Sequence, residues 1–446
     1  MEKLTYSKVL KFWVPLLAMW LMMSVEGPYL TALIARMHEP EFNLAAYGVA
    51  FSVALIVESP IMMLLSASIA LVENRSTFLK LRNFVYGLNI VLTIFMLVLI
   101  IPPIFNTLAI DILNLPERVA YLTHIAVIIL IPWAPAIGYR RFYQGLLIKN
   151  NLTRRVAYGT VVRLIAMLIT GFLLFSFTNL HGVVIGASAL SSGVIFDALA
   201  TRFMILDVLK TVSTTQPGEK SISYKEIMNF YVPLILTSFI SLGVQPIVTF
   251  FMGQSVMALE SLAVLPVLNG LVFIFRAFGL SYQEVGVALI KSKHDYIILK
   301  NFAMRLGLVV VIGLAAISLT PLGDIWLMNV AGLSRHLTEF SDLPLLLYTI
   351  FPALTVWINF QRSVLVYVRN TKQITFASSI EVLSLLIVLL ITVKFLSIVG
   401  AVAAVIAYTI ARLMSTGYLI SPFTKAKKII FSRPEVSTEN IIQQEV

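Results

Sequence analysis

Tyr6 to Leu16 read YSKVLKFWVPL, and Tyr224 to Leu234 read YKEIMNFYVPL. A tyrosine, a phenylalanine, a further aromatic and Val-Pro-Leu coincide. The likeness continues at an offset near 218 residues, where Pro28 meets Pro246 and Thr31 meets Thr249. Arg82-Asn83-Phe84 corresponds to Lys300-Asn301-Phe302, Pro102 to Pro321, Ile131-Pro132 to Phe351-Pro352 and Asn150 to Asn370. The chain is therefore a duplication of a unit of about 218 residues.

The composition says where that unit lives. Apolar residues make up 59% of the chain and charged residues 12%, about half the soluble norm of roughly 25%. Mean hydropathy is +0.92. Crossing a bilayer core takes about 20 mostly apolar residues. Such runs lie near 10–34, 43–71, 83–102, 119–147, 156–177 and 181–209, then 225–251, 257–289, 301–320, 341–368, 374–393 and 397–420. The first run, from Val9 to Ile34, is too long for a signal-peptide core and is itself a span.

The loops set the orientation. One alternating set holds 21 basic residues, the other only Arg36, Arg118, Arg335 and Lys394. Basic loops stay in the cytoplasm, so both termini are expected there, in a multi-pass protein of the cell (inner) membrane. The net charge of +11 then reflects topology and contact with anionic lipid, and no nucleic acid is expected. Asn74-Arg75-Ser76 and Asn151-Leu152-Thr153 match the glycosylation pattern but fall in loops on the cytoplasmic side.

The expected architecture is all-α and integral to the membrane: twelve transmembrane helices in two six-helix lobes. The N-lobe is 1–210, a polar linker with Pro217 and Gly218 spans 211–224, the C-lobe is 225–420, and a cytoplasmic tail follows at 421–446. Two halves of six spans each start on the same side, so the repeat is parallel, about an axis along the membrane normal. Pro28 and Pro246 sit at matching places inside spans. A proline removes an amide donor and kinks a helix, which makes these two candidate hinges.

Ionisable groups inside a membrane are costly and face a cavity or a partner. Glu26, Glu58 and Asp197 fall in one layer of the first half, roughly 20 Å above the cytoplasmic helix ends. Carboxylates clustered in a low-dielectric cavity can exchange protons near neutral pH or ligate Na⁺. The alternative is that each is paired with an arginine or a backbone group for packing. Arg140, Arg141, Arg163 and Arg202 lie in the cytoplasmic third of the first half, and Arg305, Arg362 and Arg412 at comparable depth in the second. They can snorkel or form a gate. Arg276 is too deep to snorkel, and Gln245, Gln283 and Glu284 are its candidate partners. In-span arginines outnumber carboxylates, which favours anionic or zwitterionic cargo.

Other chemistries find no support. There are no cysteines, which excludes disulfides and thiolate metal sites. Neither a GxxxxGK[ST] loop nor an HExxH or GxSxG motif occurs. No catalytic residue, cofactor or metal site is expected beyond bound Na⁺ or H⁺, and the chain is not read as an enzyme.

Two families share this layout. The loop LVENRSTFLKLRNF between the second and third spans has no glycine and no Asp-Arg pair, unlike the major facilitator superfamily. RRFYQGLLIKNN, Arg140 to Asn151, resembles the fourth-span signature of the multidrug and toxic compound extrusion (MATE) superfamily, which includes lipid-linked sugar flippases. Val14 to Leu16, Glu26, LAAYGVAFS at Leu44 to Ser52 and VPLILTSFISLGVQPIVTFF at Val232 to Phe251 resemble the progressive ankylosis family within it, which carries an arginine near Gln245-Pro246.

The resemblance implies a V-shaped, monomeric secondary transporter with alternating access, exporting a small solute on a proton or sodium gradient. The ankylosis branch is linked to efflux of citrate, nucleotides or pyrophosphate-related anions. On this reading Glu26, Glu58 and Asp197 bind the coupling cation, and Arg276, Gln245, Arg140, Arg163 and Gln144 meet the cargo. A cationic multidrug extruder, a lipid-linked sugar flippase and a passive channel are the alternatives. Glu26→Gln is expected to abolish gradient-driven uptake in proteoliposomes while the protein stays folded. Undiminished uptake removes the coupling role.

Overall fold

The computed structural model describes residues 4–150, 152–214, 222–368, 370 and 372–432. Helices account for every regular element among them. Eleven are long and apolar enough to cross a membrane. These are Tyr6–Ala35, Pro40–Leu71, Arg75–Leu99, Glu117–Lys149, Arg154–Phe177 and Gly182–Met204, then Ala258–Leu289, Lys293–Leu319, Arg335–Tyr367, Lys372–Phe395 and Gly400–Ser432. Seventh in order comes a span in two pieces, Tyr224–Leu242 and Val244–Gly253, broken at Gly243. The twelve-span, all-helical reading holds.

Some ends differ from the hydropathy estimate, for a local reason. The third span starts at Arg75 rather than near 83, because Asn74 and Thr77 form a capping box. At the same offset, Ser292 and Asp295 form the box that starts the ninth span at Lys293. Such reciprocal bonds satisfy two amides that a helix start leaves unpaired, so the helix extends beyond its apolar run. The last helix runs on to Ser432, so the first part of the expected tail, 421–432, is helical. The centre of the linker, 215–221 with Pro217 and Gly218, and the tail beyond Ser432 lie outside the described residues.

Prolines shape the second, fourth and tenth spans. The second passes through a 3₁₀ turn at Ser59–Ile61. The fourth restarts at Trp133 after Pro132, and the tenth restarts at Phe351 ahead of Pro352. The two candidate hinges differ. Pro28 stays inside a continuous helix, whereas Pro246 lies in the first turn after the break at Gly243.

The chain forms two compact units, and they do not coincide with the halves of the repeat. One contains the chain up to Pro28 with Val267–Val330 and everything from Ser334 on. The other contains Tyr29–Pro266 with Ala331–Leu333. Most of the first span thus belongs with the second half, and the seventh span belongs with the first half.

An aromatic residue fixes each exchanged span. Trp13 meets the ring of Phe302 edge-on, with centroids 5.4 Å apart at 80°. Its Nε1 donates to Ser281 Oγ at 2.8 Å. In the other unit Tyr231 meets Phe84 at 5.4 Å and 82°, and its hydroxyl donates to the Pro60 carbonyl at 2.5 Å. Trp13 and Tyr231 are repeat counterparts, as are Phe84 and Phe302. The contact is therefore duplicated with the sequence.

Within each unit the spans close on small residues. A Cβ at Gly145 would lie 1.8 Å from Ser68 Oγ and 2.5 Å from the Leu65 carbonyl oxygen. At the equivalent crossing, a Cβ at Gly286 would lie 2.2 Å from Ser363 Oγ. Glycine and serine have traded places between the halves. In lipid, helices associate by close packing rather than hydrophobic exclusion, so this approach carries the crossing. Gly145→Ala is expected to cost about 1–3 kcal/mol by overpacking, read as a lower melting temperature of the purified protein. Gly87→Ala, where nothing lies within 4 Å of the added carbon, is expected to leave it unchanged.

Candidate functional site

Each unit buries its own cluster of charged side chains. In the unit built on the first half, Asp197 of the sixth span is fully buried. Arg140 of the fourth span donates to its Oδ2 through Nη1. Thr201, one turn on, donates to Oδ1 at 3.4 Å. The fifth span closes over this carboxylate at Gly159, where a Cβ would lie 2.5 Å from Oδ1. Glu58 is buried at the end of the helix before the Ser59–Ile61 turn and accepts from Trp133 Nε1 at 3.2 Å.

Arg141 stands beside these groups. Its Nη2 reaches Met62 Sδ at 3.7 Å, and it lies in the field of Arg140, Glu58, Arg163 and Asp197. The buried Nε atoms of Arg140 and Arg141 have no hydrogen-bond partner. Gln144 is buried one turn beyond Arg140. The structure thus gathers Arg140, Arg141 and Arg163 around Glu58 and Asp197, three cations to two anions. It realises the pairing alternative for Asp197, and Glu58 is held by an indole. Glu26 is buried in the other unit, just before Gly27-Pro28. There Gly270 approaches so closely that a Cβ on it would lie 3.1 Å from Pro28 Cδ.

The second cluster joins the eighth, tenth, eleventh and twelfth spans. Glu381 Oε1 accepts from Arg412 Nε at 2.9 Å, with Arg412 Nη2 at 2.8 Å. Arg362 Nη2 stands 3.8 Å from the other carboxylate oxygen. Arg412 also donates to Thr355 Oγ1 at 3.4 Å. The guanidinium carbons of Arg276 and Arg412 lie 5.1 and 5.0 Å from the centre of the same ring, Phe351. An aromatic face attracts a cation, the more so away from water, so one ring holds two arginines that repel each other. Arg276 Nε is buried without a partner.

The expected partners of Arg276 are Gln245, Gln283 and Glu284. Within its unit the neighbours are instead Phe273, Phe351, Tyr348, Tyr408, Arg412 and Glu381. The reason is distance along the helix axis, about 1.5 Å per residue. Gln283 and Glu284 lie about two turns along the same helix, whereas Phe351 is presented by a different span. Arg412 is expected from the sequence only as a snorkelling or gate residue, and Phe351 and Glu381 carry no expected site role.

Gln245 starts the second piece of the seventh span. Its carbonyl accepts from Thr249 Oγ1 at 3.1 Å, and that hydroxyl also pairs with Ser52 Oγ at 2.7 Å. The break at Gly243-Pro246 is thereby tied to the second span. Among the described residues, no three of His, Asp and Glu assemble into a metal-binding group.

No known family profile matches the chain, and no curated protein matches it in sequence. Solved structures do match in fold. An inward-facing multidrug-resistance MATE transporter of the MOP superfamily is similar over 92% of this chain and 96% of its own, with a TM-score of 0.65 and 15% identity. The lipid II flippase MurJ, in an inward closed conformation, is similar over 93% and 90%, with a TM-score of 0.70 and 16% identity. A MOP superfamily transporter from Pyrococcus furiosus, described as having a binding pocket of reverse polarity, is similar over 94% and 96%, with a TM-score of 0.59 and 14% identity. The chain therefore has the fold of MATE and MurJ proteins. At 14–16% identity the likeness is one of fold.

Removing one partner of a buried ion pair strands the other charge, typically at 3–5 kcal/mol. Asp197→Asn is expected to lower thermal stability strongly by stranding Arg140. The double variant Arg140→Met with Asp197→Leu is expected to recover most of the loss. Melting curves of the three proteins decide this.

Proposed function

We propose that this protein is a secondary active exporter of an anionic organic solute, working by alternating access in the cell membrane with both termini in the cytoplasm. One observation carries the reading. Each charge cluster holds more arginine than carboxylate: Arg140, Arg141 and Arg163 against Glu58 and Asp197, and Arg276, Arg362 and Arg412 against Glu381, while Glu26 is a further buried carboxylate of the unit that holds Glu381. Uncompensated buried cations are costly, and an anionic ligand would offset that cost. A cationic-drug site would need the opposite balance.

Arg276 and Arg163 are the proposed cargo ligands, with Gln144 and Gln245 as neutral polar contacts. Arg140 is committed to Asp197 in this state and would be freed when Asp197 takes up a proton, which links cargo affinity to the coupling ion. Glu58 and Glu26 are the remaining carboxylates for H⁺ or Na⁺. Pro28 is the proposed hinge on the first span, because the compact units meet in the chain at that residue. Pro246 is its counterpart beside the break at Gly243.

A second reading, a lipid-linked sugar flippase, has its own support in the TM-score of 0.70 to MurJ. The same arginines would then meet a lipid-linked diphosphate.

A ligand that binds the folded state raises its apparent stability by mass action. Citrate, nucleotides and pyrophosphate, the cargo class suggested by the ankylosis resemblance, are to be compared with lipid-linked sugars and cationic dyes. Stabilisation by soluble anions is expected, with about tenfold weaker binding in Arg276→Gln for loss of one charge-assisted contact of about 1.5 kcal/mol. Stabilisation by lipid-linked sugars alone selects the flippase. Stabilisation by dyes alone overturns the anionic reading.

A further inference from the structure

We propose that a cavity on the third, fourth and sixth spans, apart from both buried charge clusters, holds the phosphate headgroup of an anionic lipid. The lipid is drawn from the leaflet beside the basic loops. The cavity has a volume of about 470 Å³. Three arginines line it, Arg75 and Arg82 from the third span and Arg202 from the end of the sixth. Among the described residues, no carboxylate lines it or pairs with any of the three. The arginines of the central cluster do not line it either.

The third span presents this wall because Arg75, Arg82 and Tyr86 recur on one helical face at spacings of seven and four. Tyr139 and Tyr143, one turn apart on the fourth span, face them. The rings of Tyr86 and Tyr139 are stacked at 6.4 Å and 10°. The hydroxyls of Tyr86 and Tyr143 share one hydrogen bond of 2.8 Å. A hydroxyl pair uses one of its two hydrogens, which leaves the other to donate. Arg82 Nε is buried and has no partner. Buried donors are nearly always paired, so this atom and the spare hydroxyl hydrogen ask for an acceptor. A phosphate oxygen among three guanidinium groups supplies it.

The surroundings favour a lipid over a free phosphate. Phe203, next to Arg202, is 72% exposed, and Leu206, just past the turn at Ile205, is 41% exposed. Leu206–Thr214 then forms a short helix with apolar Leu206, Val208 and Leu209 beside polar Asp207, Lys210 and Thr211. Such an amphipathic helix suits the headgroup boundary. Leu209 lines the cavity, so the charged site adjoins an apolar surface fit for acyl chains. The leaflet beside basic loops is the anionic one.

The full-length protein in detergent is to be titrated with phosphatidylglycerol, phosphatidylcholine and glycerol 3-phosphate, reading bound lipid by native mass spectrometry and melting temperature. Phosphatidylglycerol is expected to bind and stabilise in preference to the other two. Arg75→Gln/Arg82→Gln/Arg202→Gln is expected to weaken it about 100-fold, at about 1 kcal/mol per cation. A control with the same charge loss elsewhere, Lys11→Gln/Lys291→Gln/Lys428→Gln, is expected to bind as before. If the triple variant does not fold, Arg202→Gln alone, at an exposed helix end, is expected to weaken binding about fivefold. Equal binding of phosphatidylcholine, or unchanged binding in the folded arginine variant, overturns the proposal. Equal binding of glycerol 3-phosphate also overturns it, in favour of a soluble phosphate ligand.

Discussion

The exchange of first spans is the constraint on which the rest of this fold depends. Trp13 and Tyr231 occupy the same place in the two halves, and each is buried against a phenylalanine and bonded to a partner from the opposite half. An aromatic with a polar atom suits this task in a membrane. Its ring fills a large volume between helices, and its one hydrogen bond is directional where no water competes. Neither half is complete without the other's first helix. A symmetric pair of anchors makes the compact units of equivalent build, although their boundaries, at Pro28 and Pro266, lie within helices.

On that frame the charges are arranged by a low-dielectric rule. Asp197 is fully buried and bonded to Arg140, and Glu381 receives two nitrogens of Arg412. Each carboxylate is thus satisfied first, and the surplus falls to arginine. The surplus is accommodated by means other than carboxylates. Phe351 lies against both Arg276 and Arg412, and Met62 lies against Arg141. Aromatic and thioether contacts are weaker than an ion pair, so Arg141 and Arg276 remain available to an anion in a way that Arg140 and Arg412 are not.

The repeat survives as geometry more faithfully than as chemistry. The Gly145–Ser68 crossing returns as Ser363–Gly286, with the small residue on the other helix. The capping box of Asn74 and Thr77 returns as Ser292 and Asp295. Packing distance and capping are conserved because the bilayer penalises any lapse in them. The charges themselves are not repeated, since Asp197 and Glu381 are not counterparts at the repeat offset. The seventh span departs in the backbone too, since it breaks at Gly243 where the first span continues through Pro28.

The sequence by itself determined that this is a membrane protein of duplicated six-span halves, and it marked the prolines and the arginine surplus. A bilayer demands runs of about 20 apolar residues and forbids unpaired backbone, so those features are written along the chain. Tertiary structure alone decided that the first spans change units, that Asp197 belongs to Arg140 and that Arg276 rests on Phe351. Those outcomes depend on which way each helix faces. In a soluble helix an apolar stripe reveals the buried face, but here lipid-facing and protein-facing side chains are both apolar. With that signal erased, the pairing of helices, and so of the charges they carry, becomes legible only once the spans are packed.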